Sequence, residues 1–176
     1  MTTENATTTD LDEIARKGFA ALARRDLSRP ELIWADTAVE HWVPVGHATG
    51  HDAIVAFFRE IFAALPDFTI EVERTVARAP FVAVQWHATG TFTGGKFQGI
   101  RATGAKIDFR GCEMMEIRDG LIVDNTIYWD GAGFARQVGL LPPQGSLPDR
   151  ALLHSFNAVT WVRTLGRRPG RKQHHA

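Results

Sequence analysis

The apolar residues of the chain recur first at helical and then at strand spacing, and the change falls near Phe68. Before it, Leu11, Ile14, Ala15, Gly18, Phe19 and Leu22 return every three or four positions, which predicts an amphipathic helix from Thr9 or Asp10, either of which can cap it, to about Arg25. Pro30 to Ala35 reads as a brief helical piece with proline in its first turn, and Val39 to Val43 as a short strand. A loop from Gly46 to Gly50 then leads into a helix from Asp52 to Leu65, with Ile54, Phe57, Phe58, Ile61 and Leu65 on one face and Pro66 ending it. Beyond Phe68, five segments alternate as strands do: Thr69 to Arg78, Phe81 to Thr91, Phe97 to Ala102, Lys106 to Ile117 and Leu121 to Trp129. Gly94-Gly95 and Asp119-Gly120 mark the clearest turns. Asp130 opens a short helix that Gly139 ends, and Asp149 to Arg163 forms one more amphipathic helix, with Leu152, Phe156, Val159, Val162 and Leu165 on its stripe. Helices followed by a run of antiparallel strands predict an α+β fold, in which a strongly curved sheet makes a cone closed by helices at one end.

One charged residue breaks this pattern. Side chains alternate along a strand, so Ile107, Phe109, Gly111, Glu113, Met115 and Ile117 share a face, and Glu113 sits in an otherwise apolar row. A carboxylate directed into a core costs several kcal/mol unless it is paired, hydrogen-bonded or protonated. Glu113 is therefore either a satisfied core acid, tied to a tryptophan, tyrosine or backbone donor, or a working group in a cavity. The second reading is favoured.

Composition narrows the class. The 176 residues are 44% apolar and carry 20 basic and 20 acidic side chains, as expected of one globular unit with no net charge. The balance hides an asymmetry: from Leu147 onward Arg150, Arg163, Arg167, Arg168, Arg171 and Lys172 face Asp149 alone, leaving the tail at +5 and the body at −5. An acidic body argues against nucleic acid as a partner. The basic end suits an anionic surface or an acidic partner, although a solvated helix end packed on the body or a second subunit is the favoured reading. The single cysteine, Cys112, excludes an internal disulfide and a cysteine-built zinc site, and packing is its expected role. The polar opening MTTENATTTD has no signal-peptide core and no long apolar run follows, so a cytoplasmic protein without a membrane span is expected. His41, His47 and His51 lie close in sequence but have no assured carboxylate beside them, so no metal is assigned to them.

The order of elements and four strings within it resemble the SnoaL-like polyketide cyclases, in the superfamily of nuclear transport factor two and ketosteroid isomerase. The strings are GHDAIVAFFREIFAALPDF at Gly50 to Phe68, FVAVQWHATGTFTGGKFQGIRATG at Phe81 to Gly104, MMEIRDGLIVDN, and YWDGAGFARQVGLLP. They place a single domain at residues 9–142, a linker at 143–148, a C-terminal helix at 149–166 and a basic tail at 167–176, the last two outside the resemblance. The resemblance implies a deep apolar pocket and acid–base chemistry without metal or organic cofactor on a small hydrophobic or aromatic substrate. Cyclisation, isomerisation and dehydration, of the kind found in antibiotic biosynthesis, all fall within its range.

Carried over position by position, the family pattern departs from this chain at one decisive place. The catalytic Asp expected three residues before the Asp that opens the final helix is here Ile127. Asp130 matches the family's second Asp, and capping the helix is favoured for it over catalysis. The cyclase pocket His falls at Glu113, the epoxide hydrolase Arg and Asp positions fall near Gln85 and His87, and its water-holding positions fall near Glu40 and Trp42. The resulting catalytic candidates are Glu113, His87 and Asp130. Substrate-binding candidates are Glu40, Trp42, Gln85, Ile127, Trp129, Met115 and Phe109. His87 could orient on Glu113 as a general base, or be a core or interface histidine, and solvent exposure is favoured for Glu40 over catalysis. Trp42 and Trp129 could stack on a flat substrate or simply fill the core. An epoxide hydrolase and a non-catalytic ligand-binding protein remain the alternatives, the second favoured by Ile127. Val82, Val84 and Trp86 are read as an apolar row on the face opposite Gln85 and His87, and the cover such a row needs suggests a homodimer.

Overall fold

The computed structural model describes residues 8–28 and 33–165. Helix α1 (Thr8–Ala23) leads to β1 (Trp34–Val43) and β2 (Gly46–Thr49), then α2 (His51–Ala64). Strands β3 (Thr69–Arg78), β4 (Phe81–Thr91), β5 (Lys106–Arg118) and β6 (Leu121–Trp129) follow, then α3 (Gly131–Gln137) and α4 (Leu147–Leu165). The fold is α+β, and the expected curved sheet is present with six strands in the order β2-β1-β6-β5-β4-β3. One pair departs from the antiparallel expectation, since β1 runs parallel to β6. That crossover puts the N-terminal half of the chain beside its last strand, so the sheet stays open with β2 and β3 at its edges.

Local chemistry explains the elements. Asp119 and Gly120 take φ of 51° and 75°, the paired positive values that a tight hairpin requires, and so join β5 to β6. Helix α1 lies against β3 and β4, α2 against β1 and β2, and α3 against β5. All three cover the same concave face, so the central strands β4 and β5 bury alternate residues. In β4 the buried set is Val82, Val84, Trp86 and Ala88.

This reverses the expected parity of β4. Val82, Val84 and Trp86 belong to the core rather than to an exposed row, and the inference of a homodimer drawn from them loses its basis. Four smaller expectations also change. Trp34 and Ala35 begin β1 instead of ending a helical piece, while residues 29–32 lie outside the described residues. Residues 46–49 form β2, because the chain turns at Val45 and pairs back on β1, with His47 opposite His41. Phe97 to Ala102 is no strand: Gln98 and Gly99 both have positive φ, and Phe97 and Ile100 exchange backbone bonds across a tight turn. Cys112 is exposed rather than packed.

Helix α4 stands apart. None of residues 150–164 is buried, and Phe156 and Trp161 are 66% and 64% exposed. Among the described residues no helix is long and apolar enough to cross a membrane. Residues 1–7 of the polar opening and the basic tail at 167–176 lie outside the described residues.

Candidate active site

Strand register builds the site. On the concave face one row crosses four strands as Val84, Glu113, Ile127 and Trp42, each residue paired with the next. The adjoining row is Val82, Met115, Asn125 and Glu40. Between these rows and the helices lies a cavity of about 720 Å³, counting the open space at its mouth. Its aromatic wall includes Trp42, Trp86, Phe97, Phe109, Trp129 and Phe134. Trp42 stacks on Phe57 with ring centroids 3.7 Å apart, and Phe109, Trp129 and Phe134 form a chain of tilted and edge contacts. Among the described residues Glu113 is the one ionisable side chain in that lining.

Glu113 does not stand alone. Asn125, one residue row away, donates through Nδ2 to Glu113 Oε2 and to Glu40 Oε1, both at 3.1 Å. Exposure is 6% for Glu113, 1% for Asn125 and 0% for Glu40, so two carboxyls and the amide between them form a buried polar unit. Burial dominates both acids, because a charged carboxylate loses its hydration there. It pushes Glu113 up to about 8, with the Glu40 charge adding to the rise and the Asn125 bond opposing it. Glu40 is raised to about 7, again by burial, with Asn125 opposing. The indole N–H groups of Trp34 and Trp42 also lie near enough to favour the charged form of Glu40. Neither closes to hydrogen-bonding geometry, so they act as oriented dipoles rather than as bonds. The two acids interact strongly enough that their protons belong to the pair.

The other candidates separate cleanly. Phe109, Trp42, Ile127 and Trp129 line the main cavity, whereas Met115 lines a smaller one behind it with Glu40 and Asn125. Glu40 is fully buried, contrary to the solvent-exposed reading, because β1 turns Ala38, Glu40 and Trp42 inward together. Gln85 and His87 point away from the cavity. Gln85 donates to Glu73 at 2.8 Å, and His87 lies 2.8 Å from Asp108 and 3.2 Å from Glu71. These partners, Asp108 first, raise the His87 pKa, but on the outer face the imidazole cannot meet Glu113. Asp130 accepts the Gly133 amide at 2.7 Å and so caps α3. His41 lies 3.6 Å from Asp124 and beside His47, while His51 is buried at the start of α2. Among the described residues no three His, Cys, Asp or Glu side chains are grouped to hold a metal.

The residue that sequence reading missed is Asn125. It shares its face with Ile127 and Trp129, which were singled out, but a bulge opposite Glu116 and Ile117 inserts one residue into β6. Ile122 and Asn125 therefore both face inward although they differ in parity.

The sequence profile of the SnoaL-like polyketide cyclases matches residues 13–138, which spans every strand and every wall of the cavity. The chain belongs to the SnoaL-like polyketide cyclase family. Solved structures agree on the fold. AclR from Streptomyces galilaeus is 21% identical with a TM-score of 0.68, over 93% of this chain and 100% of that one. A SnoaL-like protein from Jannaschia sp. CCS1 is 18% identical with a TM-score of 0.68, over 81% and 100%. IdmH from Streptomyces antibioticus is 25% identical with a TM-score of 0.61, over 73% and 97%. No curated protein matches the chain by sequence. Ile127, where the resemblance implies a catalytic Asp, is paired directly with Glu113.

Proposed function

We propose that this SnoaL-like protein is an acid–base enzyme of secondary metabolism that closes or rearranges a ring in a polyketide-like or aromatic substrate, with Glu113 exchanging the proton. The observation that carries this reading is the placement of Glu113 as the one ionisable side chain lining an otherwise apolar, aromatic-walled cavity. IdmH, described as a candidate polyketide cyclase, is similar to the chain, which supports the reaction class.

The chemistry follows from burial. With its pKa raised to about 8, Glu113 is largely protonated at neutral pH and still close enough to ionisation to act in both directions. In an intramolecular aldol closure the ionised form of Glu113 takes the proton of the nucleophilic carbon, and the acid so formed gives a proton to the acceptor carbonyl oxygen as the enolate carbon makes the new carbon–carbon bond. The carboxylate is thereby regenerated and the ring-closed product is an isomer of the substrate. Phe109, Trp42 and Trp129 hold the flat skeleton, and an apolar wall keeps water from the enolate. The protein's own residues suffice for this proton traffic without a cofactor.

An epoxide hydrolase needs polar side chains in the wall to hold its attacking water. Of the positions expected to hold it, Trp42 lines the cavity and Glu40 lies behind the wall, while Gln85 and His87, at the expected Arg and Asp positions, face outward. A protein that only binds its ligand remains the competing reading, and it has Ile127 in its favour. The two separate on a panel of polyketide-like methyl esters, epoxides and enones offered to wild type and to Glu113→Gln. Turnover of one class that disappears in the variant supports the enzyme. Equal, tight binding by both proteins with no turnover supports the binder.

A further inference from the structure

Glu40 is a buried acid with no place in the chemistry above. It lies behind the cavity wall, against a second small cavity whose other lining residues from α1, α2 and β5 are Ala15, Gly18, Phe19, Leu22, Phe58 and Met115, none of them charged. Among the described residues no cation acts on either carboxyl: the charged group acting on Glu113 is Glu40, and the groups acting on Glu40 are Asn125 and the two indoles. Two carboxyls sharing a buried site cannot both ionise without large mutual repulsion.

The amide decides how they share it. A side-chain amide nitrogen carries two hydrogens, and Asn125 Nδ2 gives one to each carboxyl. Beyond that bond the two acids differ. Glu40 has the indole N–H groups of Trp34 and Trp42 turned toward it, whereas Glu113 has only the amide and faces the apolar cavity. Negative charge is therefore better accommodated on Glu40, and the proton on Glu113.

We propose that Glu40, joined to Glu113 through Asn125, is a positioning residue that holds the single negative charge of the pair and so keeps Glu113 in its proton-donating form. This rests on the acid–base reading of Glu113. It also gives Trp42 two roles, since its ring forms cavity wall while its N–H faces Glu40. Asn125 sets the distance between the acids and so the strength of their coupling.

The test is a titration of the full chain labelled with carbon-13 at glutamate carboxyls, followed by NMR and assigned by comparing wild type, Glu40→Gln and Glu113→Gln. In Glu40→Gln the Glu113 midpoint falls by about one pH unit or more, which raises its ratio of ionised to protonated form at neutral pH about tenfold or more. Glu40 ionises first, while Glu113 still holds its proton, so in Glu113→Gln the Glu40 midpoint stays where it is in wild type, and this second measurement carries the test if Glu40→Gln does not fold. Asn125→Leu, which removes the shared donor, moves both midpoints upward. A Glu113 midpoint unmoved in Glu40→Gln overturns the inference, and so does a Glu40 midpoint that falls by about one pH unit or more in Glu113→Gln, because the charge would then already lie on Glu113 when Glu40 ionises. The titration needs no substrate. Either of these results therefore defeats this inference alone, and a Glu113 midpoint that shifts as expected in a protein that turns over nothing defeats the enzymatic reading alone.

Discussion

Replacing Glu113 by Gln keeps the shape of the cavity wall and removes an acid whose ionisation burial opposes. The folded protein holds the Glu113 proton more tightly than the unfolded chain does. Stability from this group is then fully present below the ordinary value of 4.5 and is lost as pH rises through about 8. A rise of that size corresponds to roughly 5 kcal/mol at about 1.4 kcal/mol per pH unit. Because Glu40 shares the interaction, that figure is an upper bound for Glu113 alone. Urea unfolding of both proteins at about pH 5, 7 and 9 measures it, through the midpoint and slope of each transition. Wild type should lose about 2–5 kcal/mol more than Glu113→Gln between the extremes. His87, whose pKa is also raised, contributes a decline common to both proteins, so it cancels in the comparison. Parallel losses in the two proteins would refute the reasoning, since Glu113 would then ionise in the folded state as easily as in water.

Three further substitutions probe the surrounding structure. Asp130→Ala removes the cap on α3 and should cost about 1 kcal/mol of stability while leaving the Glu113 titration in place; calorimetry and NMR check the two halves. Ile127→Asp places a third carboxyl directly opposite Glu113, so it should destabilise the protein by several kcal/mol at alkaline pH and raise the Glu113 midpoint further. Truncation after Pro143 removes α4, and since residues 150–164 bury no side chain the urea midpoint of the body should stay within about 0.5 kcal/mol of the full chain. A loss of more than about 2 kcal/mol would mean that α4 packs on the body or on a second copy, and equilibrium sedimentation would tell which.

Strand alternation made much of this molecule legible from its residues. The Asp119-Gly120 turn and the apolar row through Phe109, Glu113 and Met115 predicted both a hairpin and a buried acid, because the turn residues fix where the chain reverses and alternation along β5 alone fixes the face of Glu113. The same rule, applied plainly to β4, would have put Val82, Val84, Trp86 and Ala88 inside. Carrying family positions onto Gln85 and His87 inverted it, although a polar row flanked by Glu71, Glu73, Asp108 and Arg110 belongs on a solvated face. Glu40 was obscured because β1 pairs with a strand distant in sequence, and only the parallel β1–β6 crossover brings Glu40 to Asn125. Asn125 was within reach of the same alternation, two residues before Ile127 in continuous register; the bulge beyond it changes parity only toward Ile122. Helix α4 was read correctly as a helix, but the apolar periodicity that predicts it carries no information about what, if anything, it covers.

The proton transfer itself is the most direct thing to measure. Wild type and Glu113→Gln would be incubated in deuterated buffer with a polyketide-like substrate bearing an acidic carbon, and deuterium uptake at that carbon followed by mass spectrometry. If Glu113 is the exchanging group, wild type accelerates uptake and the variant is slower by about 100-fold or more. Equal uptake with the two proteins, or none above the uncatalysed rate with wild type, would contradict it.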